Sequence, residues 1–278
     1  METSFHEILS SYPEAAVGIA LRDLEAGTSF EYNADRSFHA ASTMKVPVMI
    51  EVFRQAEAGR FSMNDSLEVT NEFKSIVDGS SYVLDTEDDS DAEVYAEIGH
   101  PVAIRWLVER MITASSNLAT NILIDLVSAD SVQATIERLG TTHMKVLRGV
   151  EDLKAYDQGL NNTATANDLA VLLQALAEGR AVSSDADAEM VDILLQQEYN
   201  DIIPAGVPAG VRVAHKTGWI TEIHHDAAIV YPPERKPYIL VVLTEGVPDK
   251  DDSARLGAEI SSAAYAAITG DGRVDAHH

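Results

Sequence analysis

Two short stretches near the N-terminus carry the alternating or continuous apolar pattern of strands. Residues 15–23, AAVGIALRD, and 28–32, TSFEY, flank Glu25-Ala26-Gly27, which predicts a hairpin. Over 43–58 the period changes: Val46, Met49, Ile50 and Phe53 recur at helical spacing and Gly59 ends the run, so a long helix beginning at Ser42 is expected. Pro47 falls early enough in that helix to be tolerated. Helical patterns then follow one another over 102–176, broken near Ser115, Gly140 and 148–163, with a further helix over 184–197. Residues 210–216, 224–231 and 238–244 read as three strands separated by turns at Gly218 and Pro232-Pro233, and an alanine-rich helix over 252–268 closes the pattern. The segment 85–97, DTEDDSDAEVYAE, is dense in acid and poor in core formers, and reads as a solvated surface segment rather than a calcium loop, lacking the glycine and terminal glutamate of one.

A lone hairpin is marginal in water, and three strands with one unsupported face are little better. Pairing the strands of the two chain ends solves both problems. The expected fold is therefore α/β (α+β) in two lobes: a five-stranded antiparallel sheet flanked by helices, built from 1–41 and 200–278, and an all-helical lobe from 42–199. The cleft between the lobes is the natural place for a site.

Composition narrows the chemistry. With 278 residues, 46% of them hydrophobic, the chain can bury a sizeable core as one large domain or two ordinary ones. It has no cysteine, which removes disulfides, thiolate metal sites and cysteine nucleophiles together. A net charge of −25 repels nucleic acid and anionic membranes, so neither is an expected partner. No apolar run is long enough to span a bilayer, and METSFHEILSSYPEA lacks the basic start and apolar core of a signal peptide. A soluble chain is expected, either cytoplasmic or exported with a leader removed. His277 and His278 read as a tag remnant or a disordered end.

The run AASTMKVPV places Ser42 three positions before Lys45. Alone, this is a helix cap followed by a lysine that reaches solvent. Two further stretches change its meaning. ITASSNLATNILID holds Ser115-Ser116-Asn117 at a helix start, and VRVAHKTGW ends a strand with Lys216-Thr217-Gly218. Singly these too are ordinary caps and strand ends; in this order they are S-x-x-K, S-x-N and K-T-G. With them the sequence resembles the penicillin-recognising serine hydrolases, most closely the class A β-lactamases. FHAASTMKV, MITASSNLATNILI, RVAHKTG and DAAIVYPPERKPYILVVL carry the likeness over nearly the whole chain.

The chemistry accounts for the residue types. A serine hydroxyl needs a base close by, and Lys45, one helical turn beyond Ser42, lies on the same side of the helix. Burial near Lys216 would disfavour its ammonium and make the neutral amine accessible. The resemblance implies the other roles. Ser42 would form an acyl-enzyme, Ser115 would relay a proton to the leaving nitrogen, and Asn117 would hydrogen-bond the substrate amide. Lys216, Thr217 and Gly218 would form the strand that binds the substrate carboxylate, and the Trp219 N–H would join the helix start as an oxyanion donor. His225 stands where the family often has an arginine, so carboxylate binding is expected to depend on pH.

Glu151, 36 residues after Ser115 within VLRGVEDLKAYDQGLNN, is the leading candidate for the base that activates the deacylating water. It lacks the family's following Leu-Asn; the one acid-x-x-Leu-Asn is Asp157-Gln158-Gly159-Leu160-Asn161. Either Glu151 works in an altered loop, or Asp157 substitutes, or deacylation is slow. Three readings follow: a β-lactamase, a D-alanyl-D-alanine peptidase or esterase, or a penicillin-binding protein that acylates once. The implied partner is a small molecule, a β-lactam or an acyl-D-Ala-D-Ala-like peptide. A monomer is expected, exported or periplasmic by the resemblance. No cofactor is expected: His215, His224 and His225 could meet across neighbouring strands, but Lys216 beside them opposes a metal cation.

Overall fold

Strand pairing between the two ends of the chain organises the molecule. The structure is a computed structural model and describes residues 2–270, so His277 and His278 lie outside the described residues. Helix α1 (Glu2–Ser10) leads into the hairpin β1 (Ala16–Asp23) and β2 (Thr28–Tyr32). The late strands are β3 (Arg212–Ile220), β4 (Ile223–Tyr231) and β5 (Tyr238–Glu245). They form one antiparallel sheet in the order β2-β1-β5-β4-β3, with β1 zipped to β5 from Ala16 opposite Glu245 to Asp23 opposite Tyr238.

The period of two on β5 sorts its side chains between two cores. Tyr238, Leu240 and Val242 pack with Phe5 of α1 and with Leu256, Ile260 and Ala264 of α8 (Lys250–Thr269; the intervening helices follow), while Ile239, Val241 and Leu243 join the larger core on the other face. That larger core belongs to the helices in the middle of the chain. They are α2 (Lys45–Glu57), α3 (Ile104–Thr113), α4 (Asn117–Val127), α5 (Ala129–Leu139), α6 (Ala166–Ala177) and α7 (Ser184–Leu194). α6 lies against the sheet, and α2 runs through the centre of the helical layer, touching α3, α4, α5 and α7. Ten of the 13 residues of α2 are buried, which is why its apolar pattern is nearly continuous rather than one stripe. No helix among the described residues is long and apolar enough to cross a membrane.

Four local expectations change. The expected single helix from Ser42 is a 3-10 turn, Ala41–Met44, followed by α2, and Pro47 sits in the first turn of α2 where its missing N–H takes nothing from the helix. β3 does not turn at Gly218 but runs on to Ile220; the reversal comes at Thr221-Glu222, with Glu222 at φ +58°. α1 escaped the pattern because it buries a single residue, Phe5. The acidic segment 85–97 is not simply solvated: Asp91 is buried in a fork to Arg110, with both contacts at 2.8 Å, and Val94 enters the core. Acid-rich composition does not distinguish a hydrated face from carboxylates that serve as partners.

One buried carboxylate fixes α2 against α5. Glu51 is fully buried and accepts from Arg54 Nε and Nη2, Gln55 Nε2 and Thr135 Oγ1, all at 2.6 Å. Burial pushes its pKa up, but the hydrogen bonds from Arg54, Thr135 and Gln55 outweigh that and hold it below the ordinary 4.5. Replacing Glu51 by Ala is expected to destabilise the protein by about 2–4 kcal/mol in urea titrations near neutral pH. Because the folded pKa is depressed, the contribution is complete above the unfolded value. The gap between wild type and Glu51→Ala should therefore narrow as pH falls below about 4.5 and through the lower folded value.

Candidate active site

The 3-10 turn that carries Ser42 is held by its own backbone and by its neighbours. Ala41 sits at φ +44°, Thr43 Oγ1 donates to Ala40 O at 2.6 Å, and Ala40 N donates to Asn162 O at 2.9 Å. On the other side β3 comes very close. A Cβ built on Gly218 would stand 3.1 Å from both Ser42 N and Thr43 N, so only glycine lets the strand approach these amides without displacement. The edge strand and the turn before α2 thereby lie backbone to backbone beside Ser42.

Behind Ser42 two lysines are buried completely around one hydroxyl. Lys45 Nζ donates to Ser115 O at 2.7 Å, to Asn117 Oδ1 at 2.8 Å and to Ser115 Oγ at 3.2 Å. Lys216 Nζ donates to the same Ser115 Oγ at 3.0 Å and to Thr217 O at 2.9 Å. Burial lowers the Lys45 pKa from 10.5 to about 7, with Asp89 and Glu151 holding it up against a larger fall. Lys216 is pushed well below its ordinary value by burial and then by the neighbouring Lys45 charge, with Asp226 opposing. A lysine near pH 7 can exist as a free amine, the form that accepts a proton.

The Ser115–Asn117 segment is shaped from three directions. Ser115 takes φ +61°, and the cap of α4 is Ser116, whose side chain accepts from Ala119 N at 3.2 Å; neither Ser115 nor Asn117 caps the helix, and their side chains are left for the cleft. Asp89 reaches in from the acidic segment and accepts from Asn117 N and Leu118 N, each at 2.9 Å, where the positive end of the α4 dipole favours a carboxylate. Ser90 Oγ adds bonds to Ala114 O at 2.8 Å and Ser115 O at 3.1 Å.

Glu151 enters the cleft from a loop strapped down on both flanks. Asn121 on α4 accepts from Val150 N at 2.7 Å and donates to Val150 O at 3.0 Å, and Gly149 must be glycine because a Cβ would lie 2.4 Å from Asn121 Oδ1. Asp152 accepts from Ser75 Oγ and Ile76 N, both at 2.9 Å. Asn162 closes the loop, accepting from Leu147 N at 2.8 Å and donating to Arg148 O at 2.9 Å. Between these straps Glu151 adopts φ +60°, with Oε1 at 3.5 Å from Asn117 Nδ2. Its pKa is raised by burial and by Asp88, against the pull of Lys45 and Arg148. Asp157 is exposed at the end of the short helix Leu153–Asp157 and does not line the cleft. Of the two acids the sequence offered, the fold brings Glu151 to the site.

These parts surround a cleft of about 720 Å³ lined by Ser42, Ser115, Asn117, Glu151, Thr217 and Trp219, among others. Lys45, Lys216 and Gly218 lie beneath its surface. His225 departs from expectation. It is fully buried, its Nε2 lies 3.0 Å from His39 O, its Nδ1 accepts from Thr244 N at 3.1 Å, and its ring packs edge-on against Phe38. Burial lowers its pKa to about 4, so it stays neutral where the expected pH dependence would arise. The pleat sends its side chain under the 3-10 turn, and His224, one residue earlier, lines the cleft instead. His215 is occupied by Asp226, whose carboxylate accepts at 2.9 Å from its Nδ1. Asp89, Asn121, Asn162 and Lys250 went unmarked in the sequence; only Asn162, in the Asn161-Asn162 pair, carried even a turn signal.

Comparison with known proteins places the whole chain. The model of the beta-lactamase enzyme family matches residues 1–268. A beta-lactamase from Bacillus amyloliquefaciens is 28% identical over 236 residues, 84% of this chain and 72% of that protein. The crystal structure of a beta-lactamase from Sphaerobacter thermophilus superposes with a TM-score of 0.81 at 28% identity, covering 96% of this chain and 97% of that one. A reconstructed ancestral class A beta-lactamase shares the fold with a TM-score of 0.81 at 24% identity, over 95% of this chain and 99% of that one.

The amine cluster makes a direct prediction. Observed by NMR through its Nζ, Lys45 should titrate with a midpoint at about 7, more than three units below a surface lysine. Because Glu151 holds that value up, Glu151→Gln should move the midpoint further down; an unchanged or higher midpoint contradicts the coupling.

Proposed function

Because the chain belongs to the beta-lactamase enzyme family, we propose that it opens β-lactam rings through an acyl-enzyme on Ser42, with Lys45, Ser115 and Glu151 as its proton-handling groups. One observation carries this reading above the rest: a fully buried lysine amine with its pKa near 7 one turn from Ser42, and a half-buried glutamate in the same cleft.

Ser42 Oγ attacks the lactam carbonyl carbon while its proton passes to the free amine of Lys45. The new C–O bond leaves an oxyanion between the backbone N–H groups of Ser42 and Trp219, which the closeness of Gly218 to the turn supports. Collapse breaks the ring C–N bond, and the nitrogen takes a proton through the Ser115 hydroxyl, which touches both lysines. Asn117 meets the acyl side-chain amide. In the second half Glu151 takes a proton from water, the water oxygen attacks the ester carbon, and the ester C–O bond breaks as Ser42 Oγ receives that proton back from Glu151 by way of Lys45, which restores the free enzyme. Burial and Asp88 raise the pKa of Glu151, which makes it a better base than a surface carboxylate. A protein that acylated once would have no use for an acid strapped into that position.

Two variants separate the steps. Ser42→Ala should abolish both labelling by a fluorescent penicillin and hydrolysis; near wild-type labelling would place the nucleophile elsewhere. Glu151→Gln should acylate but fail to release, so brief mixing with a penicillin and intact-protein mass spectrometry should show a free wild type and an adducted mutant. Asp157→Asn should behave as wild type, and an adduct trapped by that variant alone would overturn the assignment of Glu151.

A further inference from the structure

The cleft that would receive an anionic β-lactam is bordered by acids. Glu87, Asp88, Asp89, Glu151, Asp152 and Asp201 line it, on a chain whose net charge is −25. A negatively charged substrate therefore needs a cation at the surface of the cleft, and few are free. Arg148 donates to Leu160 O at 2.9 Å, Gly149 O at 3.0 Å and Asn161 Oδ1 at 3.0 Å, and is 6% exposed. Lys216, which the K-T-G motif offered as the anchor, does not reach the surface and already donates to Ser115 Oγ and Thr217 O. Its ammonium is further disfavoured by burial and by Lys45. The expected helper, His225, is locked under the sheet.

Lys250 is different. It is the first residue of α8, is exposed, lines the cleft, and its Nζ has no carboxylate or carbonyl partner among the described residues. Its ammonium rests 5.2 Å from the ring centroid of Trp219, the residue after K-T-G, which is 56% exposed. Such an exposed cation–π contact is weak, so the ammonium is readily drawn to an anion. Beside it, His224 faces Trp219 across the β3–β4 register and is 4% exposed. Its buried Nδ1 has no hydrogen-bond partner, while Nε2 stands 3.9 Å from Asp201. The ring also lies against the Lys250 backbone, so His224 ties the start of α8 to β4 at the wall of the cleft.

We propose that Lys250 is the carboxylate anchor of this cleft, its ammonium leaving the Trp219 face to pair with the substrate carboxylate, with His224 Nδ1 and the Thr217 hydroxyl as hydrogen-bonding neighbours. This rests on the β-lactamase reading. It names a helix N-terminal lysine as the charge that the buried strand lysine and His225 do not supply at the surface. Because the ammonium stays partly in water, the pairing is weakened by salt.

The test compares a penicillin with its carboxylate methyl ester, reading the ratio of their kcat/KM values. In the wild type the acid should be strongly preferred. Lys250→Met should cut that preference about fivefold by lowering kcat/KM for the acid and leaving the ester unchanged, and Lys250→Arg should keep it within twofold. High salt should erode the wild-type preference and leave Lys250→Met flat. Lys250 is exposed, so an unchanged melting temperature should confirm that the variants fold. A Lys250→Met ratio equal to wild type, or an equal loss for acid and ester, overturns the anchor alone. A wild type that hydrolyses neither compound and takes no label on Ser42 overturns the β-lactamase reading, and the anchor falls with it.

Discussion

Two ammonium-bearing side chains buried around one serine hydroxyl set the terms for the whole molecule. Water would keep Lys45 and Lys216 apart and charged; here both are removed from it and meet at Ser115 Oγ. Desolvation and mutual repulsion make the doubly charged state costly, so one proton is loosely held, which a serine nucleophile needs. That cost has to be offset elsewhere. The continuous burial of α2, the two-sided burial of the sheet and the pairing of the chain ends supply the packing that keeps the lysines dry. Asp89 and Glu151, the carboxylates that moderate Lys45, arrive on loops, whereas Asp226, which moderates Lys216, is part of the sheet.

Those loops give the cleft its electrical character. Asp89 ties the acidic segment to the start of α4, Asn121 and Asp152 tie the Glu151 loop to its surroundings, and among the charged residues that line the cleft acids predominate. An anion is received against this field only where a cation or a set of N–H groups is concentrated.

Much of this was legible in the sequence because it depends on local periodicity. Period-two runs marked all five strands, and S-x-x-K, S-x-N and K-T-G fell at element boundaries. What escaped depends on long-range geometry. A glycine between two strand patterns reads as a turn, whereas the task of Gly218 is to let a strand pass within contact of the Ser42 and Thr43 amides. Counting along a strand selects His225, but a one-residue difference reverses the face, and its side chain lies beneath the 3-10 turn while His224 lines the cleft. Asp89 belonged to a segment whose composition suggested hydration, and nothing local shows that its carboxylate meets a helix start 28 residues on.

Three residues that line the cleft, Ala41, Ser115 and Glu151, hold left-handed backbone without being glycine. Each such conformation costs roughly 1–2 kcal/mol, and glycine would relieve it at an entropic cost of roughly 0.5–1 kcal/mol. A search that rewarded heat resistance alone would thus find small gains at these positions and spend them on a looser cleft. The tension in the backbone is a ledger between durability and catalysis, and this chain has settled it on the side of the fixed geometry that Ser42 and its neighbours require.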